Sequence, residues 1–278
     1  MYYTLRMKRK TVLITGCSSG IGYDCAKALA EEYNVIATAR KDSDVRKLSS
    51  EGFEAYRLDV TSSEDIERVF EKVVEAHKHL YAVFNNAGYG QPGAVEDIGK
   101  DVLREQFETN FFGMWEITAK AVKIFRAQGY GRVINHSSIL GIVSLRFRGA
   151  YNASKYAIEG MDDTLRLELA GTQIYVSTIN TGPVRSKFRE NALKMFLKNV
   201  DYTNSFFKEE YRMQMLEAKE SSTAAFSRES DVVIANVRHA LQAKKPRARY
   251  YNTEVTWVLA FLKRILPTTW LDKVLRKI

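Results

Sequence analysis

Short apolar, β-branched runs alternate along this chain with longer segments of helical period, and no other feature narrows the fold as far. Strands are expected over 11–15, 35–38, 54–58, 81–85, 132–136 and 174–179, with helices over 20–33, 43–50, 63–77, 101–128 and 151–170. Strand–helix–strand repetition joins strands by right-handed crossovers and makes them parallel. The expected class is therefore α/β, a doubly wound parallel sheet with helices on both faces. After Pro183 the alternation weakens. A helical stretch carrying Met195, Phe196, Phe206, Phe207, Tyr211, Met213 and Met215 follows, then a helix over 231–241 and a last strand over 248–251.

With 278 residues, 45% of them apolar, the chain can bury a large core, and only 4 Pro and 16 Gly are present, with no linker-like tract. One domain over 1–278 is expected. Its cofactor-binding and catalytic core runs over 10–186, a substrate-binding arm over 187–225 and an amphipathic tail over 254–278. Cys17 and Cys25 are unsuited to a disulfide, and the four histidines lack metal-site spacing, so no metal is expected. These features point to a reducing, cytoplasmic setting. The basic start, 1–10, lacks the apolar core of a secretory signal. The longest apolar stretch, 257–266, includes Lys263 and Arg264 and is half the ~20 residues that span a bilayer. A net charge of +9 suits an anionic partner, whether phosphorylated cofactor, anionic lipid or nucleic acid. No nucleic-acid-binding motif accompanies it, so none is expected as partner.

The first chemical motif is Thr15-Gly16-Cys17-Ser18-Ser19-Gly20-Ile21-Gly22, between the first strand and the first helix. Glycines there allow a tight turn and bring backbone N–H groups to a pyrophosphate, and the helix N-terminus adds partial positive charge. Tyr151 and Lys155, four apart on a helix, share one face. A free tyrosine titrates near ~10, and a neighbouring ammonium would lower that value toward a working acid/base. Ser138 ends the fifth strand at the sheet edge where ligands bind, with Ser137 as its rival. Asn110 sits in an apolar helix, where an amide bends the helix, bridges to a neighbour or serves the site.

Thr-Gly-x-x-x-Gly-Ile-Gly, Asn85-Asn86-Ala87-Gly88, Asn110, Ser138 and Tyr151-Asn-Ala-Ser-Lys155, in this order over about 10–188, resemble the motifs of the short-chain dehydrogenase/reductase family. The resemblance implies the Rossmann version of the sheet and hydride transfer between a nicotinamide and a carbonyl or alcohol carbon. It makes Tyr151 the acid/base, Ser138 the group that orients the substrate oxygen, Lys155 the partner of tyrosine and ribose, and Asn110 the holder of a relay water. By the same resemblance Gly16, Ser18, Ser19, Gly20, Ile21, Gly22, Asp59, Val60, Asn86, Ala87, Gly88, Gly182, Val184 and Ser186 join Tyr151 and Lys155 in holding the cofactor. Relatives usually carry Pro-Gly where this chain has Thr181-Gly182-Pro183, which leaves that loop's rigidity open.

At the end of the second strand, neutral Ala39 is followed by Arg40 and Lys41. An acid there would favour NAD(H), whereas two cations suit the 2′-phosphate of NADP(H). NADP(H) is the expected cofactor, with NAD(H) as the alternative if Arg40 only stacks on adenine. The segments 85–90 and 154–160 resemble the retinol, steroid and long-chain aldehyde reductase branch. An NADP(H)-dependent reductase of apolar aldehydes or ketones is expected; the alternatives are an NAD-dependent alcohol dehydrogenase and a catalytically idle NADP binder. Leu193, Met195, Phe196, Leu197, Phe206 and Phe207 are expected to line an apolar pocket. Relatives pair through the helices carrying Asn110 and Tyr151, which implies a homodimer or homotetramer. The tail mixes Trp257, Phe261, Ile265 and Trp270 with Lys263, Arg264, Lys273 and Arg276, a pattern that packs on the domain or a partner subunit or lies on an anionic membrane.

Overall fold

Strand β1 (Thr11–Ile14) is buried along its whole length, as a run of Thr, Val, Leu and Ile demands when both sheet faces are covered. The computed structural model describes residues 9–220 and 227–278, with backbone alone for 216–220. Most of the segment read for a secretory signal and the arm's last residues, 221–225, lie outside the described residues. Around β1 run β2 (Asn34–Ala39), β3 (Glu54–Arg57), β4 (Ala82–Asn85), β5 (Gly131–Ser138), β6 (Ile174–Thr181) and β7 (Arg249–Tyr251). They form one seven-stranded sheet in the order β3-β2-β1-β4-β5-β6-β7, and every pair is parallel.

Alternation along β1 splits the core between the two faces. Val12 and Ile14 join Leu29, Val237, Leu241 and Tyr250 on one side. Leu13 joins Ile66, Phe70, Ile117 and Phe125 on the other. Along the first part of the chain run α1 (Gly20–Leu29), α2 (Asp42–Ser50), α3 (Ser63–His77), α4 (Lys100–Phe107), α5 (Gly113–Gln128) and α6 (Gly149–Glu168), of which α1 supplies Leu29, α3 Ile66 and Phe70, and α5 Ile117 and Phe125. After β6 come α7 (Phe188–Asn199), α8 (Lys208–Glu220), α9 (Asp231–Gln242), which supplies Val237 and Leu241, α10 (Glu254–Ile265) and α11 (Thr268–Leu275).

Two expectations need correction. The single helix expected over 101–128 is interrupted by a π-helical turn, Glu108–Phe112, between α4 and α5. A Cβ on Gly113 would stand 2.1 Å from the Val60 carbonyl oxygen. The chain passes so close to the β3 loop there that the helix resets its register, and π turns of this kind concentrate at functional sites. Strands β5 and β6 also run two residues past their expected ends, pairing Ser137 with Asn180 and Ser138 with Thr181. Polar side chains there read as loop, yet both strands are interior to the sheet and their backbones stay paired. The tail forms α10 and α11, whose Leu259 and Leu271 pack on Ile139 and Val143 just beyond β5.

Candidate active site

The C-terminal ends of β1, β2, β4, β5 and β6 open on one edge, the crevice where ligands of such sheets bind. The β1 loop turns through Gly16 at φ +73° and Gly20 at φ +59°, values an L side chain rarely adopts. A Cβ on Gly22 would lie 2.4 Å from both Asn86 Nδ2 and the Gly16 carbonyl oxygen, so only glycine lets α1 approach so closely. The β4 loop is stitched to the β1 loop. Asn86 Nδ2 donates to the Thr15 carbonyl at 3.0 Å and the Gly16 carbonyl at 3.2 Å. Thr15 Oγ1 accepts from the Asn86 and Ala87 amides at 2.9 and 3.0 Å. Ser19 caps α1 with extended backbone and no side-chain bond. The first amides of α1, from Gly20 and Ile21 on, thus have no side-chain acceptor there, the chemistry a pyrophosphate oxygen needs. Ser18 is exposed beside them.

Arg40 and Lys41 stand exposed just past β2. Asp59 accepts from the Thr61 amide and hydroxyl at 3.0 and 2.8 Å, and Val60 beside it is buried. Past β6, Gly182 is pressed against α10, where a Cβ would meet Thr253 Oγ1 at 2.2 Å. Val184 bridges to Arg228, and the Arg228 amide donates to the Pro183 carbonyl at 3.0 Å. The loop whose rigidity the Thr-Gly-Pro order left open is therefore held on both sides. Ser186 lies across from the β1 loop: a Cβ on Gly20 would lie 3.5 Å from its Cβ.

Tyr151, Lys155, Ser138 and Asn110 come together from α6, the end of β5 and the π turn, all buried. Burial pushes the Tyr151 phenol up to about 12, and a hydrogen bond with Ser138 pulls it the other way. Burial brings Lys155 down to about 8, with Glu159 opposing. The Lys155 ammonium donates to the His136 carbonyl at 2.7 Å and lies 5.7 Å from the Tyr151 ring centroid. In the chain alone the lowering by Lys155 expected from their spacing is not among the influences on Tyr151: desolvation dominates, and the ammonium is turned to a carbonyl. Ser138 Oγ accepts from the Leu140 amide at 3.1 Å and donates to the Thr181 carbonyl at 3.3 Å. Ser137, its rival, has a buried hydroxyl without a partner among the described residues. The π turn brings Asn110 inward: Oδ1 accepts from the Tyr89 amide at 3.0 Å, and Nδ2 donates to the Tyr89 carbonyl at 2.9 Å and Ser154 Oγ at 3.2 Å. A Cβ on Gly88 would lie 3.1 Å from Asn110 Oδ1 and 3.9 Å from Lys155 Nζ.

Two residues here escaped the sequence reading. His136, considered there only as one of four histidines without metal-site spacing, lies 2.9 Å from Asn86 Oδ1 and 2.8 Å from Thr181 Oγ1, joining the β4 and β6 ends. Burial and Lys155 bring it down to about 3, so it is neutral. A lone histidine inside Val133-Ile134-Asn135-His136 was the available signal. Phe188, the first aromatic of the arm, packs on Tyr151 with ring centroids 5.4 Å apart. The residues expected to line an apolar pocket divide differently. Phe196 is buried with Tyr211, Phe147 and Val200, and Leu193 and Phe207 pack on that cluster. Met195 is half-buried, whereas Leu197 and Phe206 face outward. The arm spends its interior aromatics on its own core because Tyr211 is anchored, donating to Asp97 Oδ2 and accepting from the Ala94 amide, both at 2.6 Å. Among the described residues no group of three or more His, Cys, Asp or Glu is arranged to hold a metal, and no helix is long and apolar enough to cross a membrane.

The short chain dehydrogenase family model matches residues 10–195. The chain is 38% identical over 275 residues to the uncharacterized oxidoreductase YbbO of Escherichia coli K12, covering 98% of this chain and 96% of that one. It is 30% identical over 261 residues to human 17-beta-hydroxysteroid dehydrogenase type 1, covering 89% and 79%. A short chain dehydrogenase/reductase from Burkholderia phymatum, solved in complex with NAD, superimposes with a TM-score of 0.78 at 19% identity, over 98% of this chain and 97% of that one. With the family's motifs at one sheet edge and its model spanning more than half the sequence, this chain belongs to the short-chain dehydrogenase/reductase family of oxidoreductases.

Proposed function

We propose that this protein is an NADP(H)-dependent reductase of apolar aldehydes or ketones, with Tyr151 as the proton donor to the substrate oxygen. The observation that carries the reading is the buried group Tyr151, Ser138, Lys155 and Asn110 gathered at the C-terminal sheet edge. The fit to a dinucleotide rests on the glycine cradle at Gly16, Gly20 and Gly22 and on the uncapped start of α1. When bound, the cofactor supplies the hydride.

The chain's own residues do the rest. Gly16, Ser18, Ser19, Gly20, Ile21 and Gly22 take the pyrophosphate, and Asp59 and Val60 border the adenine. Asn86, Ala87, Gly88, Gly182, Val184 and Ser186 line the nicotinamide side. Ser138 orients the substrate oxygen and keeps it against the Tyr151 hydroxyl. Below about 12 Tyr151 carries its proton, the form that reduction requires. Lys155 turns from the His136 carbonyl toward the ribose and the phenol, where its charge stabilises the phenolate that proton donation leaves. Asn110, locked by Tyr89 and Ser154, holds the π turn behind Lys155.

Arg40 and Lys41 carry the NADP(H) preference, being exposed cations where an acid would repel a 2′-phosphate. The neighbour solved with NAD keeps an NAD-dependent alcohol dehydrogenase as the second reading. Similarity to a hydroxysteroid dehydrogenase supports an apolar substrate. The free, buried thiols of Cys17 and Cys25 accord with a reducing cytoplasm, and exposed Phe112, Trp115 and Leu167 on α5, its approach and α6 accord with a homodimer or homotetramer paired through those helices.

The test is NADPH oxidation, followed by absorbance, across aliphatic aldehydes of rising length, retinal and ketosteroids, with NADH and Tyr151→Phe in parallel. Turnover should rise with substrate length and fall by roughly 10³ in the variant. NADPH binding without reduction of any carbonyl, or oxidation of any alcohol, would leave only the idle binder.

A further inference from the structure

α10 and α11 carry apolar residues on both sides. Inward, Thr256, Leu259 and Ala260 of α10 and Leu271 of α11 are buried. Outward on α10, Trp257, Val258, Phe261 and Ile265 are 58%, 55%, 60% and 55% exposed, and their spacing puts them on one arc of the helix. Outward on α11, Trp270 is 61% exposed, with exposed Lys273 three residues on along the same face and exposed Lys277 just past the helix end. Tyr251 packs edge-on against Trp257, with ring centroids 5.0 Å apart, yet more than half of each of these side chains stays exposed among the described residues, an apolar arc that calls for further cover.

The charges around it select the cover. Arg264 is exposed at the edge of the α10 arc. Glu254, the one acid on that arc, is paired with Arg228, whose Nε lies 3.2 Å from its carboxylate. On α11 Lys273 shares the Trp270 face, whereas exposed Asp272 falls on the far side of the helix by its spacing. Exposed aromatics bordered by unneutralised Lys and Arg match the boundary between lipid headgroups and acyl chains. We infer that the outer faces of α10 and α11 dock on an anionic phospholipid surface, with Trp257, Phe261, Ile265 and Trp270 entering the headgroup boundary and Arg264, Lys273 and Lys277 meeting lipid phosphates. The inference goes beyond the reductase reading, because lipid binding needs no turnover.

Co-sedimentation of the full chain with vesicles at low salt tests it. Vesicles of phosphatidylcholine with phosphatidylglycerol should retain the protein, and vesicles of phosphatidylcholine alone should retain far less. Binding should weaken as salt rises. Lys273→Gln with Lys277→Gln should lower partitioning about 30-fold, and Trp257→Ser with Phe261→Ser should abolish it with the circular dichroism melt unchanged. Brominated lipid should quench the emission of Trp257 and Trp270. In the variant carrying Trp257→Phe and Trp270→Phe, the remaining Trp115 should stay unquenched. Three results would each overturn the inference: no retention on anionic vesicles at low salt, undiminished retention of the Trp257→Ser, Phe261→Ser variant, or a native oligomer that falls to a smaller mass in that variant. The last would make this arc a contact between copies of the chain.

Discussion

The sheet edge and the segments after Pro183 handle polar and apolar groups in opposite ways. At the edge, polar side chains are drawn inside and tied to one another: Asn86 to Thr15 and Gly16, His136 to Asn86 and Thr181, Asn110 to Tyr89 and Ser154. In α7, α8, α10, α11 and the turn between α7 and α8, large apolar side chains are left outside, among them Leu197, Phe206, Met213, Trp257 and Phe261. A buried polar network holds atoms within tenths of an ångström because any unpaired member loses its hydration. An exposed apolar face is held by nothing in the chain and suits whatever covers it. Rigid chemistry and adaptable contact thus fall to different parts of one fold.

Gly22→Ala attacks the rigid side hardest. The new Cβ would meet Asn86 Nδ2 and the Gly16 carbonyl at 2.4 Å, so the stitched loops must part. Stability should fall by about 1–3 kcal/mol in a denaturant melt, and NADPH affinity should fall with it; an unchanged melt would show that the loops yield freely. Arg40→Asp tests a single exposed contact at the same edge. Loss of a charge-assisted bond of about 1.5–3 kcal/mol should cut NADPH affinity by roughly ten- to a hundredfold, with NADH then preferred in fluorescence titrations and the melt unmoved.

The pH profile probes the network without mutation. Reduction uses the protonated phenol, which burial keeps protonated up to about 12, so protonation of Tyr151 limits it nowhere near neutrality. Lys155, brought down to about 8, loses its charge as pH rises through that value, and kcat/KM for reduction should fall there. Alcohol oxidation needs the phenolate and should instead climb with pH. Equal profiles in the two directions would remove Tyr151 as the acid/base. The smallest effect belongs to the adaptable side. Phe206→Ser, at a position 85% exposed, should change stability by less than about 0.5 kcal/mol, whereas a large loss would place Phe206 in a core.

The glycine loop, the Asn-Asn-Ala-Gly segment and the Tyr–Lys pair were legible because each stands where backbone angle, close approach or helical spacing admits few residue types. Gly16 at φ +73° is such a case. Asn110 was legible as an amide out of place, but its π turn was not, since the turn answers the approach of Gly113 to Val60 from a distant segment. His136 and Phe188 went unread for the same reason, their partners lying on other strands or on α6. The arm's division into interior Phe196 and exterior Phe206 was closed to any linear pattern, because both are aromatic and only the anchoring of Tyr211 to Asp97 decides which turns in.

By itself, the sequence determined the alternation that makes the sheet parallel and doubly wound, and the residue types its carboxyl edge carries. Those follow from local rules, the period of a strand or helix and the angles glycine allows. Tertiary structure alone decided that Lys155 turns to the His136 carbonyl, that burial rather than a neighbouring charge governs Tyr151, and which apolar faces of α10 and α11 stay uncovered. Each of these depends on desolvation and on contacts between segments far apart in the chain, and neither is written in the order of neighbouring residues.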